Sequence, residues 1–156
     1  MRHWSTARAL LLLVLGVNPL MFGSAHAGLG SDAASVLIDA AALQGVVHAE
    51  FRQQYDIVQI TAASEMRLRE YLNRDGVVFA VSWTGPVWPD LQQLLGTHFS
   101  QFTAALAALD RPGMHRSVRV ASSALVVESG GHLRAYAGRA YLPALIPPGV
   151  SAADLR

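Results

Sequence analysis

Eight apolar residues, Leu91, Leu94, Leu95, Phe99, Phe102, Ala105, Leu106 and Leu109, recur at spacings of three and four. That period lays one continuous stripe along an α-helix. Gln92, Gln93, Thr97, Ser100, Gln101 and Ala104 fill the remaining faces. The pattern predicts a helix from Pro89 to about Leu109. Pro89 suits a first-turn position, where a missing N–H goes unnoticed, and Asp110-Arg111-Pro112-Gly113 stops the helix. A stripe this apolar must be covered, and the rest of the chain supplies strands to cover it.

The strongest hairpin signal is Asn73-Arg74-Asp75-Gly76. A turn of this kind needs positive φ near its end, which glycine supplies without steric cost. Before it, Glu65 to Leu72 alternates, with Met66, Leu68, Glu70 and Leu72 on one face and Arg67, Arg69 and Tyr71 on the other. After it, Val77, Phe79, Val81 and Trp83 form a large apolar face expected to meet the core. Val78, Ala80, Ser82 and Thr84 form a small face over which another element can pack closely. Val46 to Phe51 and Tyr55 to Ala62 have the β-branched and aromatic content of two further strands. Arg116 to Ala121, Ala124 to Glu128 and His132 to Ala137 read as three more, with Ser129-Gly130-Gly131 as the bend between the last two. Arg139 to Leu142 extends the final strand, and Pro143, Pro147 and Pro148 end regular pairing. A short alanine-rich helix, capped by Ser31 or Asp32 and ending at Gly45, precedes them all.

Strands grouped on either side of one helix predict an α+β fold. It is an antiparallel sheet of about six hairpin-linked strands with one long amphipathic helix packed across a face. The chain is too short for the helices of a doubly wound parallel sheet. An eight-strand membrane barrel would leave too little chain beside so regular a helix.

The N-terminus points to an address. Arg2 and Arg8 frame a basic start, Ala9 to Val17 is unbroken apolar sequence, and Ala25-His26-Ala27 places small residues before a cut. This is the layout of a signal peptide over residues 1–27, cleaved after Ala27. It predicts a single exported domain over residues 28–156, periplasmic or secreted, with no membrane span once the leader is gone. Removing Arg2 and Arg8 from twelve basic residues leaves ten against eleven acidic ones, a net charge of −1. A near-neutral domain offers no electrostatic footprint for nucleic acid. No cysteine is present, which excludes disulfides, thiolate metal sites and a thiol nucleophile.

Catalytic signals are sparse, and no residue is assigned a catalytic or metal-binding role. His48, His98, His115 and His132 lack helical metal-ligand spacing. Ser122-Ser123 and Ser129 sit in no G-x-S-x-G elbow. Lysine is absent, and with it a phosphate-binding Walker loop. Glu70 with Glu128 is a conceivable glycosidase pair, although strand-surface charges are the commoner meaning of such residues. The aromatic residues are more informative. Trp83 and Trp88, with nearby prolines, bracket a rigid loop at a strand-to-helix junction, and His132, Tyr136, Arg139 and Tyr141 form a second mixed surface. Aromatic side chains give large contact area at low entropy cost, so these six are the candidate ligand- or partner-binding residues.

The stretches REYLNRDGVVFAVSWTGPVWPDLQQLLG and LVVESGGHLRAYAGRAYLPALIPPGVSAADLR resemble a family of short exported proteobacterial proteins. That family is catalogued only as a domain of unknown function (twenty-eight forty-four in that series). The resemblance spans nearly all of the mature chain and implies a single exported domain, with no activity, cofactor or catalytic residue attached. The expected function is therefore a small non-catalytic periplasmic or secreted binding or accessory protein without a cofactor, acting on an envelope protein or small ligand. The alternative is a hydrolase-like envelope enzyme using His132 or His98 with a nearby carboxylate, and a third reading is a sheet-edge protein that pairs with another chain.

Overall fold

The computed structural model describes residues 28–109 and 117–156. The expected leader, the helix stop at Asp110-Arg111-Pro112-Gly113 and His115 lie outside the described residues. Helix α1 (Ala33–Ala42) leads into strands β1 (Val46–Phe51), β2 (Asp56–Thr61), β3 (Arg67–Leu72) and β4 (Val78–Gly85). Helices α2 (Leu91–Leu95) and α3 (Phe99–Ala107) follow, then β5 (Ser117–Ala121), β6 (Val126–His132) and β7 (Ala135–Tyr141). All seven strands join one antiparallel sheet in the order β1-β2-β3-β4-β7-β6-β5. Two meanders, β1–β4 and β5–β7, thus meet at β4 and β7 in the middle.

Both faces are covered. Helices lie on one, where Val36, Ile60, Leu68, Trp83, Leu95 and Phe102 belong to the larger core. The C-terminal segment lies on the other, where Leu155 packs with Tyr55, Ile57, Tyr71, Phe79 and Ala80 in a smaller core. β4 is therefore buried on both sides from Val78 to Ser82.

The helical segment across the face is present but divided. Asp90 caps it, accepting hydrogen bonds from the Gln92 and Gln93 amides at 2.9 and 3.1 Å, so Pro89 precedes the helix and is not in its first turn. Gly96 has φ 51°, and a single 3-10 turn over Gly96–His98 separates α2 from α3.

Two alternations differ from those the sequence predicts. Leu72 pairs with Val78 and Tyr71 with Ala80, so Phe79 is the extra residue of a β-bulge. The bulge turns Val78 to the helix side with Val81 and Trp83, and sends Phe79 to the tail side beside Tyr71. The expected common face of Val77, Phe79, Val81 and Trp83 does not form. Ser129, Gly130 and Gly131 also do not bend the chain: they lie inside β6, paired with Gly138, Ala137 and Tyr136. The turn falls instead at Leu133 and Arg134, where Arg134 takes φ 64°. Close packing is what requires glycine at 131, since a Cβ on Gly131 would lie 2.3 Å from the Ala135 carbonyl oxygen.

Candidate functional site

Cross-strand register aligns one polar row on the tail face: Gln59, Arg69, Ser82, Arg139, Glu128 and Arg119. Neighbours in such a row lie close enough to bond. Glu128 is gripped from both sides. Arg139 donates from Nε to Oε2 at 2.7 Å and approaches with Nη2 at 2.6 Å, while Arg119 Nε stands 3.2 Å from Oε1. Arg139 also donates to the Ala152 carbonyl and stacks over Tyr141 at 5.9 Å. Arg69 and Tyr71 Oη both donate to the Arg156 carbonyl. Much of this row is thus engaged in holding the C-terminal segment against the sheet, and Arg139 and Tyr141 have that structural work.

A cavity of about 790 Å³ opens along β4, β7, β6 and β5, lined by Trp83, Val118, Glu128, Ser129, Arg139 and Leu155 among others. Trp83 lies flat across Gly138, whose Cβ, if present, would meet indole Cζ2 at 2.3 Å. Gly138 pairs in turn with Ser129, so Trp83 and Ser129 flank it on the helix face. Trp83 Nε1 and Ser129 Oγ are both buried, and neither has a hydrogen-bond partner. Buried polar atoms are nearly always paired. Both residues line the cavity, and each carries a buried polar atom that the protein itself leaves without a partner.

A second cavity of about 650 Å³ lies at the end of the sheet, lined by Glu65, Arg67, Thr84, Arg134 and Tyr136. Beside it Trp88, 47% exposed, stacks on Tyr136 with ring centroids 4.9 Å apart and planes at 35°. The two aromatic surfaces that the sequence keeps apart therefore meet, because β4 and β7 are neighbours. His132 is exposed and occupies the last rung of the β6–β7 ladder opposite Ala135, at the end of β6 and not at the start of the following strand.

A third cluster escapes the sequence reading. Asp39 of α1 and Glu70 of β3 are fully buried beneath the helices. Gln93 of α2 donates from Nε2 to Asp39 Oδ1 at 2.6 Å. Asp39 Oδ2 and both Glu70 oxygens receive no N–H or hydroxyl donor. Burial pushes the Glu70 carboxyl up to about 9, and its hydrogen bond and charge interaction with Asp39 act in the same direction. Glu70 thus carries its proton at neutral pH. A signal existed in the sequence: each carboxylate interrupts an apolar stripe. Glu70 and Glu128 lie on opposite faces of the sheet, so they do not form the paired carboxylates of a glycosidase.

Among the described residues no histidine forms an ion pair with a carboxylate. No group of three His, Asp or Glu side chains among them is placed to hold a metal ion. No helix among them is long and apolar enough to cross a membrane. No curated protein and no solved structure matches the chain. Residues 25–155 match the model of the family described as protein of unknown function (DUF2844), and the chain belongs to that family.

Proposed function

We propose that the protein is a small non-catalytic binding protein of the cell envelope, periplasmic or secreted. It holds a compact ligand in the cavity over Trp83 and Ser129. One observation carries this reading: Trp83 and Ser129, which line a cavity of about 790 Å³ together with the apolar Val118, each carry a buried polar atom without a partner. Such a site suits a molecule with an apolar body and one acceptor oxygen, which the indole N–H satisfies while Ser129 bonds beside it. The leader-like residues 1–27 support the address, and the near-neutral charge argues against nucleic acid. A hydrolase using His98 or His132 is less favoured, because such a base needs an orienting carboxylate. The exposed Trp88–Tyr136 stack favours a second contact, with an envelope protein.

The test is titration with anilinonaphthalene sulfonate, an apolar ring system carrying acceptor oxygens. Saturable binding to the folded protein is expected, weakened about tenfold by Trp83→Phe, which removes the donor and keeps a ring. Ser129→Ala weakens it similarly. Equal binding by wild type and both variants would overturn the assignment of this cavity.

A further inference from the structure

We propose that the protein forms a symmetric homodimer in which β1 pairs antiparallel with β1 of a second copy, joining two seven-stranded sheets into one. This goes beyond the ligand-binding reading and is independent of it.

β1 is an edge strand, and every residue of it is exposed. Three of its six side chains are large and apolar, with Val46 76%, Val47 42% and Phe51 80% exposed. Edge strands in isolated domains are usually blunted by proline, lysine, a bulge or shortness. β1 has none of these. Its register with β2 runs unbroken from Val46 opposite Thr61 to Phe51 opposite Asp56.

Backbone phase decides what the open edge presents. The Arg52 amide donates to the Tyr55 carbonyl, which places Arg52, Glu50 and His48 among the inward-bonded residues of β1. The far side of β2 agrees: the Ala62 amide donates to Met66, so the even-numbered residues of β2 bond to β3 and the odd-numbered ones to β1. The N–H and C=O groups of Val47, Ala49 and Phe51 therefore point away from the sheet.

A second β1 meets these groups in one favourable register. With Ala49 opposite Ala49 of the other copy, Val47 faces Phe51 and Phe51 faces Val47. Each of these rungs sets outward groups against outward groups. The same register sets His48 opposite Glu50 twice, an acid against a hydrogen-bond donor, on the tail face. Sliding by one rung in either direction sets His48 against His48 or Glu50 against Glu50 and shortens the ladder. The strand is thus complementary to itself in charge, apolar pairing and hydrogen-bond phase together, as an isologous contact requires.

Sedimentation of the purified full chain tests this. A dimer is expected. Ala49→Pro abolishes it while leaving the melting temperature near wild type, because the Ala49 N–H takes no part in the sheet's own ladder. Should proline unfold the chain, His48→Glu sets acid against acid and raises the dissociation constant about tenfold. Adding Glu50→His to that variant restores the dimer. The chain lacks cysteine, so Ala49→Cys reports the register directly. Its two copies sit about 5.5 Å apart at Cα and oxidise to a linked dimer, whereas Ser64→Cys does not. A monomer at every concentration overturns the proposal, as does a dimer indifferent to both Ala49→Pro and His48→Glu.

Discussion

Glu70 of β3 and Asp39 of α1 are both fully buried, and burial, with Asp39 acting in the same direction, keeps the Glu70 carboxyl protonated. The folded state holds that proton up to about pH 9, whereas an unfolded chain releases it near 4.5. Between those values the folded protein binds more protons than the unfolded one. Stability from this group is therefore fully present below about 4.5 and is lost as pH rises toward 9. The slope is at most about 1.4 kcal/mol per pH unit. Glu70→Gln keeps a donor for Asp39 and removes the titration. Melting temperatures measured across this range are expected to fall for wild type and stay flatter for Glu70→Gln, which becomes the more stable protein on the alkaline side. Parallel profiles would show that folding does not raise the Glu70 carboxyl.

Gly138 is a position at which the sheet tolerates no side chain. A Cβ there would stand 2.3 Å from Trp83 Cζ2 and 2.7 Å from the Glu128 carbonyl oxygen. Trp83 is itself buried and unable to step aside. Gly138→Ala is expected to cost roughly 1–3 kcal/mol by overpacking, read from urea unfolding. A neutral result would mean that the indole has room to move off β7, and with it the floor of the proposed binding cavity.

The strands and the helical stripe were legible because their apolar periods are strong, and the β3–β4 turn because it carries Asn73 and Gly76. The departures have physical causes. Val77 to Trp83 is apolar on both faces, so a period-two reading has no means of registering the slip at Phe79. Gly96 sits inside an apolar stripe, where glycine reads as a tolerated residue and not as a break. Gly130 and Gly131 carry turn chemistry, but both lie inside β6, and at Gly131 the close approach of neighbouring backbone, not a bend, calls for glycine. Of the six candidate residues, Trp88 and Tyr136 come together, Trp83 lines the main cavity, Arg139 and Tyr141 serve the tail, and His132 stands apart. That sorting depends on β4 lying beside β7, a pairing between distant parts of the chain that local pattern does not encode.

Phe102 is the one residue of α3 that is buried. Leu106 and Phe99 pack only partly against the same core. Phe102→Ala is expected to cost about 3–5 kcal/mol, as large aromatic truncations in a core do. Denaturant unfolding measures it. Leu109→Ala, at the exposed end of the stripe, should cost far less. Equal losses would mean that α3 docks along its whole length.

Trp88 and Tyr136 give the last prediction, because stability and binding separate there. Their rings stack at 4.9 Å, yet Trp88 remains 47% exposed. A stacked aromatic pair contributes about 0.5–1.5 kcal/mol beyond area burial. Trp88→Ala is therefore expected to lower stability modestly, and a double-mutant cycle with Tyr136→Ala should return a coupling of that size. If the proposed envelope contact is made here, Trp88→Ala reduces capture of envelope proteins by the immobilised chain more than it lowers the melting temperature. Loss of several kcal/mol with capture intact would make Trp88 a staple for the β4–α2 loop and leave the second cavity without an aromatic platform.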